Sequence, residues 1–306
     1  MSELPADAVV SHRTMADTLR LYMDITRPRV LALVVFTGLP ALMLGRTAWP
    51  DPWTAFWVLA GTAAIGGASS AFNAYIEREE DARMARTRRR PLPAASVVPG
   101  VVLSYGAALT VLGTAMIGAT GGWFAAVIGL ATVAFYVVGY TMWLKPRTPQ
   151  NIVIGGAAGS TAPLIVSAAM DGSVSLGAWI LFLIVFLWTP PHVWGIAIFR
   201  KREYEAAGFP MMPSVVGDAG TRWRSLGYTL ALVAVTLAPV ALGYLSWAYG
   251  ATALALGAWF TWSVVRSMIS DRPVVDYRVF KDSIVYLAVL FFAMLAELAW
   301  TGLPHA

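Results

Sequence analysis

Apolar residues run through this chain in blocks of bilayer length, separated by polar stretches of very unequal charge. A helix needs about 20 apolar residues to cross a hydrocarbon core about 30 Å thick. Blocks of that length fall at about 28–45, 54–76, 96–118, 122–143, 151–170, 175–199, 225–246, 249–268 and 282–303, which predicts nine transmembrane helices. Thr120-Gly121-Gly122 and Trp247-Ala248-Tyr249 read as tight turns between antiparallel neighbours. By contrast, Asn73 to Pro93 and Phe199 to Arg224 are long and dense in charge. They stand four helices apart, which suggests a duplicated four-helix unit with a ninth helix added. Residues 1–27 form a polar tail ending in an amphipathic lead-in suited to the membrane interface, and 28–303 form one intramembrane domain. The first twenty residues hold no apolar run, so the first span should serve as the insertion signal.

Composition agrees with this pattern. The 306 residues are 58% hydrophobic and 13% charged, with a mean hydropathy of +0.65, far more apolar surface than a soluble core hides. The fold class is therefore an all-α membrane protein. A net charge of +5 could suggest nucleic acid, but in such a chain it reports Lys- and Arg-rich cytoplasmic loops instead. With the N-terminus in the cytoplasm, 21 of the 22 Lys and Arg fall on the cytoplasmic side, from Arg13 in the tail to Lys281 before the last span. Arg46 alone falls opposite, as does the C-terminus. No nucleic-acid partner is expected. The absence of cysteine excludes a disulfide framework, a thiolate metal site and a cysteine nucleophile.

Candidate chemistry concentrates in NAYIEREEDARMARTRRRPLP, residues 73–93. If the preceding span stays helical through Asp81, then Asn73, Glu77 and Asp81 recur at i, i+4 and i+8 and share one helix face. Arg83, Arg86, Arg88, Arg89 and Arg90 follow within ten residues. Hard oxygen ligands beside guanidinium forks are what a magnesium-diphosphate site needs. The competing reading is a solvated loop whose arginines only set orientation; against it, Asn73 sits on the apolar side of the junction, where an unpartnered amide is costly. Lys145 and Arg147 are the only charges in their loop, held at the membrane surface by Pro146 and Pro149.

In the sixth predicted span, Trp188-Thr189-Pro190-Pro191-His192-Val193-Trp194 bends the helix and frees carbonyls, which places His192 beside a cavity. A structural His192 bonded to a neighbouring helix competes with a haem ligand or proton carrier. Lys281 and Asp282 read as capping and anchoring charges, and Glu297 is the one charge deep in a span.

Taken together these residues resemble the intramembrane aromatic prenyltransferases (UbiA-type), from about Tyr22 to Trp300. The marks are the Asn73–Pro93 motif, YTMWLKPRTPQNIVIGGAAGSTAPL, FLWTPPHVWGIAIFRKREY with AGFPMMP, and FKDSIVYL. The Thr-Pro-Gln-Asn, Trp-Thr-Pro-Pro-His and Gly-Phe-Pro-Met-Met-Pro stretches point to the haem-modifying branch. The resemblance implies a nine-helix bundle with a charged cytoplasmic cap over a central cavity, in the cell's inner membrane. It implies Mg2+ as cofactor, farnesyl diphosphate and haem b as substrates, membrane lipid around it, and haem A synthase or oxidase assembly factors as partners. Asn73, Glu77 and Asp81 match the catalytic metal-binding group, with Glu77 where relatives commonly carry Asp. Arg86, Arg90, Lys145, Arg147 and Lys201 match diphosphate-binding cations, Glu203 a second-loop metal ligand, and His192 a haem-binding residue. The alternatives are a prenyltransferase of another ring, such as a quinone precursor, and a transporter; the near absence of charge inside the spans argues against the transporter.

Overall fold

The computed structural model describes residues 14–46, 48–270 and 272–301. Arg13, counted above among the tail cations, residues 1–12 of the predicted tail, and residues 302–303 at the end of the predicted last span lie outside the described residues.

The described chain is a helical bundle. The interfacial helix α1 (Met15–Thr26) is followed by α2 (Pro28–Gly38), which closes in a 3-10 turn, Leu39–Leu42. Then come α3 (Pro52–Ile76), the short α4 (Arg78–Arg83) and α5 (Pro99–Ala134), which continues as π-helix over Phe135–Leu144. Next are α6 (Asn151–Gly159), α7 (Ala162–Asp171), α8 (Leu176–Phe199) and α9 (Lys201–Ala206). The last four are α10 (Met212–Thr236), α11 (Ala238–Ala241), α12 (Trp247–Met268) and α13 (Pro273–Thr301).

Among the described residues seven helical stretches are long and apolar enough to span a membrane, and eight if the bent pair Met15–Thr26 and Pro28–Leu42 is one span. One of the seven, Pro99–Leu144, contains both predicted spans 96–118 and 122–143. A straight helix of its 46 residues would reach about 70 Å. It breaks at Gly122 (φ 82, ψ 165), a conformation open to glycine and strained for other residues. Its arms fold together there, Gly118 against Ala126 and Ile117 against Gly129.

The loop expected from Phe199 to Arg224 is mostly helical. It holds α9 and the first three turns of α10, which starts at Met212 with Pro213 in its first turn and kinks at Gly217 (φ 75, ψ 169). Proline at a helix start costs no hydrogen bond, so Pro213 opens a helix inside the charged stretch, ahead of the span expected from residue 225.

The core is built by α3, α5, α7, α8 and α13, with Val58, Ile65, Ile117, Ile165, Leu181, Ile184, Tyr286 and Phe291 nearly inaccessible. Glycines let α3 and α5 touch: a Cβ at Gly61 would stand 2.9 Å from the Gly113 carbonyl oxygen, and one at Gly113 2.8 Å from that of Gly61. This close approach locks the helix that carries Asn73. A smaller cluster, Met84, Ile152, Ala197, Ala207, Phe209 and Met211, seats the α9–α10 connection against the charged end of the bundle.

Candidate active site

The site is laid out along one face of α3. Thr62, Gly66, Ser69, Ser70 and Asn73 follow at helical spacing, and the ladder continues past the end of α3. The Glu77 N–H donates to the Asn73 carbonyl at 2.9 Å and the Asp81 N–H to that of Glu77 at 2.8 Å. Glu77 itself has left helical geometry (φ −89, ψ 14), yet the two i→i−4 bonds keep Asn73, Glu77 and Asp81 on one side. All three are buried, at 2%, 6% and 1% exposure.

Each has its own cation. Arg27 Nη2 donates to Asn73 Oδ1 at 2.9 Å, Lys145 Nζ pairs with Glu77, and Arg90 Nη1 pairs with Asp81 Oδ2 at 2.7 Å. The far side of the Asn73 amide donates to Thr141 Oγ1 at 3.4 Å, and Thr141 donates to the Tyr136 carbonyl at 2.9 Å. Thr141 lies on the π-helical Phe135–Leu144 and Lys145 caps its end, where the Lys145 N–H reaches back five residues to the Tyr140 carbonyl, 2.9 Å. Such π turns shift side chains out of α register and recur at functional sites. Lys145 Nζ also sits 4.7 Å from the Phe209 ring centroid, so the Gly-Phe-Pro-Met-Met-Pro loop forms its wall. The loop after α4 is pinned by Thr87 Oγ1 donating to the Asp81 carbonyl at 2.7 Å.

Glu77, Asp81 and the three cations enclose a cavity of about 210 Å³ lined by Arg27, Glu77, Asp81, Arg86, Arg90, Tyr140, Lys145, Tyr204, Phe209 and Met211, among others; Asn73 reaches it through Arg27 and does not itself line it. Four cations face two carboxylates there. Burial, then the charge of Arg27, pushes the Arg90 pKa below its ordinary value, while Asp81 pulls it back up; the guanidinium stays charged. Deeper in the bundle lies a second cavity of about 90 Å³, mostly apolar, between α2, α3, α5 and the α6–α7 break, lined by Leu31, Val34, Ile65, Gly66, Ser69, Tyr136 and Ile165 among others. Tyr136 of this cavity and Tyr140 of the charged one are neighbours, with ring centroids 5.2 Å apart.

The other predicted residues lie elsewhere. Arg147 is exposed and bonds the Met142 and Trp143 carbonyls at 3.0 and 3.1 Å. Lys201 pairs with Asp218 at 3.1 Å, and Glu203 with Arg200 at 2.9 Å. None of the three lines the charged cavity. His192 does not line it either; it stacks on Trp188 and Phe280, centroids 4.1 and 4.7 Å away. Its Nδ1 lies 2.7 Å from Ser283 Oγ, whose own proton goes to the Phe280 carbonyl at 2.7 Å. With the Ser283 proton on that carbonyl, Nδ1 is the donor to Ser283 and Nε2 keeps the lone pair.

Arg27 was counted in the sequence only towards sidedness. Its signal was Pro28, since a residue before proline is driven out of the α region. It joins α1 to α2 with φ 56 and ψ 66, a left-handed conformation costing about 1–2 kcal/mol for a residue with a Cβ.

Among the described residues no group of three or more His, Asp or Glu gathers into a metal cage. The carboxylates of Glu77 and Asp81 with the amide oxygen of Asn73 still fit magnesium. That ion keeps several waters and takes one or two carboxylates plus substrate phosphate oxygens rather than an all-protein cage.

Residues 34–295 match the UbiA prenyltransferase family. The chain belongs to that family. It is 43% identical over 280 residues to protoheme IX farnesyltransferase 2 of Mesorhizobium japonicum, covering 90% of this chain and 89% of that protein. It is 43% identical over 279 residues to protoheme IX farnesyltransferase of Alkalilimnicola ehrlichii (91% and 92%), and 42% over 301 residues to that of Rhodopseudomonas palustris strain BisB18 (97% and 95%). Among solved structures it resembles digeranylgeranylglyceryl phosphate synthase, with a TM-score of 0.77 at 15% identity over 92% of this chain and 98% of that one. A UbiA homolog from Archaeoglobus fulgidus bound to GPP and Mg2+ gives 0.64 at 14% identity, over 90% and 99%. At such identities these structures establish a shared UbiA-like fold. The seven or eight apolar spans make this family member a multi-pass membrane protein.

Proposed function

We propose that this protein transfers a farnesyl group from farnesyl diphosphate to a vinyl group of haem b, giving haem O. The observation that carries the chemistry is the row Asn73, Glu77 and Asp81, each bonded to a cation beside one charged cavity, with an apolar cavity farther along the same helix face. The acceptor comes from the relatives' shared name, at 42–43% identity over nearly the whole chain.

In this reading Glu77 and Asp81, with Asn73, hold magnesium, which when bound offsets the negative charge growing on the departing diphosphate. Arg86, Arg90 and Lys145 face the diphosphate and stabilise that charge as the allylic C–O bond breaks. Arg147, Lys201 and Glu203 belong to the outer rim of the entrance. The apolar cavity takes the distal part of the prenyl tail and keeps water from the allylic cation. The haem vinyl group supplies the electron pair for the new C–C bond, and water captures the resulting benzylic-type cation to leave the hydroxyl. No side chain serves as nucleophile.

His192 offers Nε2 towards the acceptor while Ser283 fixes its ring. Residues 1–27 form the tail and interfacial segment and 28–303 the catalytic domain. The chain crosses the inner membrane nine times, counting the arms on either side of Gly122 separately, with the charged cap and N-terminus in the cytoplasm and the C-terminus opposite. Supporting that orientation, Arg27, Arg86, Arg90 and Lys145, all assigned to the cytoplasmic side, meet at the charged cavity.

The test is mass spectrometry of haem extracted from membranes containing the protein after incubation with haem b, farnesyl diphosphate and Mg2+. Haem O is expected. Unmodified haem, with a quinone precursor prenylated in its place, would transfer the chain to another branch of the family.

A further inference from the structure

Arg27 lies before the segment that matches the family, residues 34–295, and it holds a strained backbone conformation. Among the described residues only Ala95 shares a positive φ without being glycine. A side chain kept where glycine would sit without strain points to work done by that side chain. Its guanidinium donates to the Asn73 oxygen at 2.9 Å and lines the charged cavity. On the other side of the same amide, Asn73 Nδ2 meets Thr141. The carboxamide is thus clamped at both ends, its oxygen by Arg27 and its nitrogen by Thr141. An amide without a fixed partner at the oxygen can turn over and present its NH2 to the site.

The Arg27 backbone is fixed in turn by its neighbours. Ile25 and Tyr22 of α1 pack with Ala71, Leu92, Val102 and Tyr105, and the Tyr22 and Tyr105 rings meet edge-on at 4.7 Å. Met15, Leu19 and Met23 remain exposed on the adjoining edge of α1, an apolar stripe at i, i+4 and i+8 suited to the lipid interface.

We propose that Arg27 is a positioning residue for the farnesyl diphosphate half of the reaction: seated by the interfacial helix, it orients the Asn73 oxygen and adds positive charge to the diphosphate cavity. This rests on the assignment of that cavity to the diphosphate. It gives α1 a role in donor binding and none in acceptor binding.

Arg27→Gly is the informative variant, because glycine accepts the left-handed backbone without strain while the guanidinium and its stem are removed. Kinetics with each substrate varied in turn, on the full-length protein in native membranes, should show KM for farnesyl diphosphate raised about tenfold or more, the factor carried by one lost charge-assisted hydrogen bond. KM for haem should stay within about twofold and the thermal midpoint in detergent should change little, because relief of the left-handed strain offsets the lost hydrogen bond to Asn73. Arg27→Lys, which keeps the charge and a donor without the planar fork, should fall between wild type and Arg27→Gly. A KM for farnesyl diphosphate within twofold of wild type overturns the proposal. So does a parallel rise in both KM values with a lower midpoint, the signature of a plain helix staple. Asp81→Asn, assayed alongside, separates the two levels. If it turns over normally, the cavity assignment itself has failed; if it is inactive while Arg27→Gly behaves as wild type, only the role of Arg27 has failed.

Discussion

Lys145→Met separates what the buried charges do for stability from what they do for turnover. The Lys145 and Glu77 side chains form an ion pair and are 16% and 8% exposed. Breaking a buried pair by removing one member costs about 3–5 kcal/mol, because the other charge stays behind unpaired. Here the cost is reduced, since Arg27 and Arg90 line the same cavity as Glu77 and Lys145 retains some access to water. A loss of about 2–3 kcal/mol follows. Removing one preorganised group aimed at developing charge lowers kcat by about 10²–10³. Lys145→Met combined with Glu77→Gln removes both charges, so unfolding in detergent should return to within about 1 kcal/mol of wild type. Turnover should not return, because the cavity has lost a cation and a carboxylate proposed to hold the metal. Intrinsic tryptophan fluorescence during thermal unfolding and quantitation of haem O by mass spectrometry provide the two readouts. Recovery of turnover together with stability would make the pair a structural strut and refute the reasoning.

Asp81→Asn should reduce haem O formation at least about a hundredfold with unchanged insertion, measured on membranes matched for protein by immunoblot. Chelation with EDTA should stop product formation and excess Mg2+ should restore it; full activity in the chelator would contradict a metal-assisted departure of diphosphate. Arg90→Ala should raise KM for farnesyl diphosphate more than Arg147→Ala does, since Arg90 lines the cavity and Arg147 is spent on two backbone carbonyls; the reverse order would relocate the diphosphate. Glu297 accepts the N–H groups of Ser246 and Tyr249 at the start of α12. Glu297→Ala should therefore lower stability by about 1–2 kcal/mol in thermal unfolding and leave both KM values in place.

What the sequence revealed, and what it did not, divides along the range of the interaction concerned. Asn73, Glu77 and Asp81 were legible because their relation is local: spacing of four along a helix defines a face whatever surrounds it. The hairpin at Gly122 was legible for the same reason. Their partners were not. Lys145 is 68 residues from Glu77 and Arg27 is 46 from Asn73, and no period in the chain encodes such pairings. Glu297 looked like a stray charge in a span, and its purpose became visible only with the first turn of α12 beside it. His192 was open between ligand and structural roles, and the partner that fixes its ring, Ser283, is 91 residues away. The α9–α10 region was read as a charged loop for a local reason: its charge hides the helical start that Pro213 opens, since prolines and glycines signal a turn and a helix start equally well.

The arrangement on α3 constrains the donor more tightly than any single contact. Gly66 lines the apolar cavity and Glu77 the charged one, and eleven residues of nearly continuous helix hold them about 16 Å apart. Because α3 is locked to α5 by reciprocal glycine contacts, that separation cannot relax when substrate enters. A diphosphate seated among Arg86, Arg90 and Lys145 therefore directs its tail past Tyr140 and Tyr136 towards Ile65 and Ile165, which close the apolar cavity. On the proposed assignment, head-group chemistry and tail length are read by one rigid helix face. Enlarging the far end with Ile65→Ala should accordingly shift donor preference towards longer prenyl diphosphates, with KM for haem unmoved; a preference unchanged in competition assays between farnesyl and geranylgeranyl diphosphate would place the tail elsewhere.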